Sequence, residues 1–186
     1  MVEVEIKIQV DKEMWTIVKE RVQKIGGQVI IEKEEHDIYF NSPSKDFIES
    51  DEALRIRKDV EGVRLTYKGP KIDKETKTRD EVEITINSFE KGIELLERLG
   101  FTPVRPVVKN RTIFRLEDIY ISLDYIEELG YFIELEKKSE EKDVSRAITE
   151  LKNIITVLNL NDYPWIRESY LELLIEKDRK KRPISR

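Results

Sequence analysis

The chain has no cysteine, so disulfides, zinc–thiolate sites and thiol nucleophiles are excluded. It has a single histidine, His36, which leaves no cluster of imidazoles to hold a metal. The apolar runs are far too short to span a bilayer, and no signal-peptide pattern opens the sequence. The expected location is therefore the cytoplasm, with no membrane partner. There is no glycine-rich phosphate loop of the Walker type. There is also no excess of positive charge: 34 basic residues face 39 acidic ones, for a net charge of −5. That balance argues against a nucleic-acid partner. Abundant Glu, Lys and Arg with few Gln and no Cys give a thermophile-like composition.

What the chain does have is charge, at 39% of its residues, arranged in a recurring pattern. Val2-Glu3-Val4-Glu5-Ile6-Lys7-Ile8 alternates strictly between charged and aliphatic residues. Side chains two apart on a strand share a face, so Glu3, Glu5 and Lys7 line one side and the aliphatics the other. The pattern returns with Arg55 and Arg57, with Arg64, Thr66 and Lys68, and with Arg79, Glu81 and Glu83. It returns again with Lys109 and Arg111, with Asp124, and with Glu134 and Glu136. The best-patterned positions comprise seven cations (Lys7, Arg55, Arg57, Lys68, Arg79, Lys109, Arg111) and seven carboxylates (Glu3, Glu5, Glu81, Glu83, Asp124, Glu134, Glu136).

The periodicity predicts strands near 2–9, 28–41, 53–59, 63–69, 78–86, 102–117, 119–126 and 131–138. Helices are expected over 12–25, after an N-cap at Asp11, and from Ser88 to a stop at Gly100, with further helices over 143–158 and 165–176. Residues 70–77 read as a polar loop and 177–186 as a basic tail. Glu3-Val-Glu-Ile-Lys-Ile repeats as Glu81-Val-Glu-Ile-Thr-Ile, each followed by a helix and a glycine stop. The expected organisation is one domain over 1–176, built from similar halves at about 1–69 and 78–138 plus closing helices over 143–176.

The fold class expected is mainly β with flanking helices (α+β). The helices need the strands' aliphatic faces, which turns the charged faces the other way. Eight strands in duplicated halves favour a closed antiparallel barrel with a polar, charged lumen and outer helices. Guanidinium and ammonium groups suit a polyphosphate, and carboxylates suit Mg²⁺ or Mn²⁺. A solvated sheet face is the alternative home for the same charges.

At this point the residues resemble a family. Glu3-x-Glu5-x-Lys7 is similar to the signature of the CYTH superfamily, the triphosphate tunnel metalloenzymes. His36-Asp-Ile-Tyr-Phe40, Arg55-x-Arg57, Thr66-Tyr-Lys68, Lys109-x-Arg111, Asp124 and Glu134-x-Glu136 follow in the family's order. Ser169-Tyr170-Leu-Glu-Leu-Leu resembles the closing helix of the class IV adenylyl cyclase branch.

The resemblance implies an eight-stranded tunnel and divalent-metal-dependent chemistry on a triphosphate. It places Glu3, Glu5, Asp124, Glu134 and Glu136 on the metal-binding acids, with Glu5 and Glu136 as direct ligands. It places Lys7, Arg55, Arg57, Lys68, Arg79, Lys109 and Arg111 on the phosphate-binding bases, and Glu81 and Glu83 on the tunnel wall. Lys7, Asp124 and Glu136 are the candidates for catalytic roles. The implied reaction is conversion of ATP to cyclic AMP and pyrophosphate. Hydrolysis of tripolyphosphate, thiamine triphosphate or a nucleoside triphosphate is the alternative, and non-catalytic triphosphate binding is a third reading. Pairing of two copies through the closing helices is compatible with the sequence.

Overall fold

The computed structural model describes residues 2–72 and 79–181. All eight expected strands are present, as β1 (Val2–Val10), β2 (Gln28–Asn41), β3 (Ala53–Asp59), β4 (Gly62–Lys68), β5 (Glu81–Ile86), β6 (Thr102–Leu116), β7 (Ile119–Ile126) and β8 (Gly130–Ser139). Four helices join them: α1 (Lys12–Lys24), α2 (Phe89–Arg98), α3 (Val144–Val157) and α4 (Tyr170–Lys181). Local chemistry sets the helix starts. Asp11 accepts the Met14 amide at 2.7 Å, and Ser88 accepts that of Lys91 at 3.2 Å.

The strands form one antiparallel sheet in the order β1-β8-β7-β6-β2-β3-β4-β5. Exchanging the halves, β1–β4 for β5–β8, reproduces this order read backwards. Each half contributes a meander (β2-β3-β4 or β6-β7-β8), and each lends its first strand to the other half's meander. The halves meet where β2 pairs with β6, with Glu35 opposite Lys109.

The sheet curls into a half-barrel and does not close, which corrects the expectation of a sealed tunnel. Among the described residues the only bridge across the gap joins Glu3 to Arg79, just before β5. β5 has only six residues, and Glu3 and Glu81 face one another at the gap. Like charges opposite each other disfavour a ladder there.

The aliphatic faces of β1, β3, β7 and β8 point outward and are covered by helices, whereas Val82 and Ile84 of β5 stay exposed. Val4, Ile6 and Ile8 of β1 pack with Ile133 and Leu135 of β8, under Val18 and Val22 of α1 and Ala147, Leu151 and Ile155 of α3. Leu96 of α2 packs with Phe40, Leu54 and Ile56 over the first meander.

Helix α4 departs from the expected outer position. Tyr170, Leu171 and Leu174 pack against Tyr39, Val107, Ile126 and Phe132. Those four residues share strand parity with the charged positions, so α4 enters the concave side and plugs one end. It also starts later than the expected residue 165. The preceding segment runs beside β1, with Ile8 bridged to Trp165 and the Ile166 amide donating to the Lys7 carbonyl at 2.8 Å. A capping box then opens the helix: the Glu172 amide donates to Ser169 Oγ at 3.2 Å, and the Ser169 amide to Glu172 Oε2 at 2.5 Å. Residues 177–181 of the expected tail continue α4. Residues 182–186 and most of the expected 70–77 loop lie outside the described residues. Among the described residues no helix is long and apolar enough to cross a membrane.

Candidate active site

The concave wall encloses a cavity of about 390 Å³. That is within the range of small-molecule sites, about 300–1,000 Å³. Strand alternation delivers the expected charged side chains to it. Glu3, Glu5, Lys7, Arg55, Arg57, Lys68, Arg79, Glu81, Glu83, Lys109, Arg111, Glu134 and Glu136 all line the cavity. Asp124 is fully buried behind Arg111.

The centre lies at the β2–β6 junction. Lys109 Nζ stands 2.7 Å from Glu35 and 3.5 Å from Asp37. Arg57 donates to both oxygens of Asp37, at 2.6 and 2.7 Å, and lies 2.7 Å from Glu35. Burial alone would favour the neutral acids. Lys109 and Arg57 outweigh it, with Arg111 beside Glu35 and Arg55 beside Asp37, and both carboxyls are held well below the usual range. Arg55 is engaged more loosely, 3.7 Å from Asp37 and 3.4 Å from Thr66. Its Nε is buried without a hydrogen-bond partner among the described residues.

The second cluster spans β6, β7, β8 and β1. Arg111 Nε donates to Asp124 at 2.6 Å, and its NH2 contacts both Asp124 and Glu134. Lys7 stands 3.1 Å from Glu134. Tyr170 Oη donates to Asp124 at 2.7 Å, and burial and the Asp124 charge push its phenol well above the ordinary value. Asp124 and Glu134, expected as metal-binding acids, are thus occupied by Arg111 and Lys7.

The third cluster is predominantly acidic and sits at the open seam. Glu5 and Glu136 are directly opposite on β1 and β8. Burial, Glu136 and Glu81 push Glu3 up to about 8, and burial and Glu5 push Glu136 up. Lys68 pairs with Glu81, and Lys138 stands 3.7 Å from Glu3. Glu3, Glu5 and Glu136 are hard oxygen donors whose repulsion a divalent cation would relieve. Among the described residues no three such side chains are already gathered in coordinating geometry. Arg79 contacts Asp51, with 3.4 Å from its NH2 to Oδ1.

The sequence reading missed Lys33, Glu35, Asp37 and Tyr170. Lys33-Glu34-Glu35-His36-Asp37 is an unbroken charged run, so strand parity has no apolar partner to reveal it. In the fold Glu34 and His36 face solvent and pair at 2.6 Å, while Lys33, Glu35 and Asp37 face inward. Lys33 contacts Glu35, Asp59 and Glu61, at 3.1, 2.7 and 2.5 Å. The available signal was the parity of Glu35 and Asp37 with Tyr39.

A curled antiparallel sheet whose concave wall interleaves cations with carboxylates defines a charged β-channel. Residues 1–170 match the CYTH domain model, and the chain belongs to the CYTH family, which binds triphosphate substrates. It is 45% identical over 174 residues to the Methanocaldococcus jannaschii protein named "Putative adenylate cyclase MJ0240", covering 93% of this chain and 98% of that one. The solved PH1819 protein of Pyrococcus horikoshii superposes with a TM-score of 0.84 at 41% identity, covering 94% of this chain and 99% of that one. A Hippeastrum structure, "Putative adenylyl cyclase HpAC1", described as having a dominant triphosphatase activity, shares the fold. Its TM-score is 0.69 at 15% identity, covering 99% of this chain and 97% of that one.

Proposed function

We propose that the chain is a divalent-metal-dependent enzyme that converts ATP to cyclic AMP and pyrophosphate in this channel. The observation that carries the reading is the wall itself: Arg55, Arg57 and Lys109 are buried around a cavity with Arg111 nearly so, and Arg55 Nε has no hydrogen-bond partner among the described residues. Such donors gain from a polyphosphate, whose oxygens accept guanidinium forks in bidentate fashion. The cavity also has an apolar part. Tyr39, Ala53 and Leu171 pack in one cluster, and Phe47 and Ile48 join them along the wall. Inorganic tripolyphosphate has no use for that surface, whereas an adenine ring does. The name of the M. jannaschii relative supports the same reading.

In the reaction the ribose 3′-oxygen forms a bond to the α-phosphorus, and the bond from that phosphorus to pyrophosphate breaks. Lys7, Arg55, Lys68, Lys109 and Arg111 hold the phosphates and offset the charge that gathers on the leaving pyrophosphate. Arg57 is committed to Asp37 and Glu35 and supports them from behind. The proton leaving the 3′-hydroxyl passes to water at the open seam. Glu3, Glu5 and Glu136 would hold Mg²⁺ or Mn²⁺, which would supply charge neutralisation of the phosphates.

The activity described for the Hippeastrum structure favours a second reading, in which water attacks the terminal phosphorus and orthophosphate leaves. Product analysis separates the two. The protein is incubated with ATP and, separately, with tripolyphosphate, in Mg²⁺ or Mn²⁺. Cyclic AMP and pyrophosphate support the cyclase. Orthophosphate from both substrates replaces it with the hydrolase. No metal-dependent product from either removes both.

A further inference from the structure

Tyr170 is the one aromatic side chain that the plug helix sends into the charged channel, and it touches both halves of the second cluster. Its hydroxyl donates to Asp124 Oδ2 at 2.7 Å, while Arg111 holds the same carboxylate from the other side. Its ring lies beneath the Lys7 ammonium, 3.7 Å from Nζ to the centroid, and Lys109 Nζ is 5.6 Å from the same centroid. Phe132 braces the ring edge-on, at 5.0 Å and 72°. The tyrosine itself is 5% exposed.

The backbone leading into α4 is fastened to the same strand. The Glu168 carbonyl accepts from Lys7 Nζ at 3.2 Å, and the Ile166 amide donates to the Lys7 carbonyl. Glu134, the Glu168 carbonyl and the Tyr170 ring are among the neighbours that fix the direction of Lys7. A lysine has four rotatable bonds and is held poorly by a single contact. A ring face under the ammonium keeps it charged and aimed without neutralising it, as a carboxylate would.

We infer that Tyr170 is a positioning residue for the triphosphate reaction: its hydroxyl fixes Asp124, and through it Arg111, while its ring aims Lys7 and Lys109 at the phosphates. The two functions sit on different atoms, so they separate on substitution. Tyr170→Phe keeps the ring and removes the hydroxyl. Tyr170→Leu removes both. Tyr170→Trp restores a ring face without the phenol. The inference rests on the triphosphate reading above.

The experiment measures metal-dependent turnover and equilibrium binding of tripolyphosphate for the wild type and the three variants, with melting temperature as a folding control. Tyr170→Phe is expected to lower kcat about 10–100-fold with KM and tripolyphosphate affinity close to wild type, the scale of a small displacement of reacting groups. Tyr170→Leu is expected to lose affinity as well, and Tyr170→Trp to regain part of it. Phe and Leu variants that lose kcat and affinity equally, in step with melting temperature, would overturn the inference, because that is how a mere packing residue behaves. So would a Phe variant with wild-type kinetics. A wild type that neither binds tripolyphosphate nor turns over any triphosphate removes the underlying reading, and this inference with it. Wild-type turnover with unaltered variants removes the inference alone.

Discussion

Glu3 and Glu81 face each other across the open seam of the sheet, although 78 positions separate them. They hold the same place in the two copies of the repeated strand. Exchange of the halves maps one onto the other, so the duplication itself brings the two acids together. Glu5 and Glu136 stand opposite each other nearby, so the seam crowds four carboxyl groups around Lys68 and Lys138. A divalent cation should relieve this repulsion. Titrating Mg²⁺ or Mn²⁺ into metal-free protein should raise its melting temperature. At a hundred times Kd the linkage is about 2.7 kcal/mol, or roughly 5–11 °C for a chain of this size. Glu5→Gln should remove most of this rise and abolish metal-dependent turnover. A Glu5→Gln variant with the full rise would exclude Glu5 as a ligand.

Arg55 and Arg57 look equivalent in the sequence, and the fold separates them. Arg57 is locked to Asp37 and Glu35, whereas Arg55 keeps a buried donor unsatisfied. Arg57→Ala takes the nearest guanidinium from two buried carboxylates, leaving Lys109 to face both, and should cost about 3–5 kcal/mol of stability. Arg55→Ala should leave the melting temperature within a few degrees and weaken triphosphate binding about 10–100-fold, the worth of a charged hydrogen bond. Paired melting and binding measurements check both. Equal thermal losses in the two variants would refute the division of labour.

The strand alternation was legible because Val, Ile and Leu separate the charges, and β1, β3 and β8 show their inner face residue by residue. Arg55, Lys109, Arg111 and Glu136 could be read for that reason. Lys33, Glu35 and Asp37 could not, since His36 and Glu34 make the outer face of β2 polar as well. The position of α4 was hidden differently. Its clue lies in four separate strands, where the charged register gives way to Tyr39, Val107, Ile126 and Phe132. Only the sheet order shows that these residues converge. The open seam lies between Glu3 and Glu81, residues distant in sequence, and no local pattern carries it.

The two glycines ending α1 serve different needs. Gly26 has φ +98°, a backbone conformation costly for other residues. At Gly27 a Cβ would stand 2.5 Å from Val22 Cγ1 and 2.8 Å from the Val22 carbonyl oxygen, which accepts the Gly27 amide at 2.8 Å. The second copy carries Phe101 at this place, bonded in the same way to Leu96 at 3.0 Å. Closeness to Val22, and not the motif, therefore requires the glycine. Gly27→Ala should destabilise by about 1–3 kcal/mol. A chemical denaturation curve with an unchanged midpoint would show that α1 shifts freely to admit the methyl group.

Acid should reveal the central pair. Glu35 and Asp37 bind protons less readily in the folded chain than in the unfolded one, because Lys109 and Arg57 face them. Below about pH 4 the unfolded chain therefore takes up more protons than the folded one, and stability must fall with pH. Their contribution is complete above that point and drains away as pH drops toward the folded-state values. Melting temperature against pH should fall steeply below about pH 4, and it should also ease down as pH rises toward 8, because Glu3 is held up to about 8 in the fold. Replacing the pair together, as Asp37→Asn with Arg57→Gln, removes one of the two depressed acids with its main partner and leaves Glu35 to Lys109, 2.7 Å away. The double variant should show a shallower acid limb. An acid limb parallel to that of the wild type would place acid lability elsewhere in the chain and leave Asp37 without the role its geometry gives it.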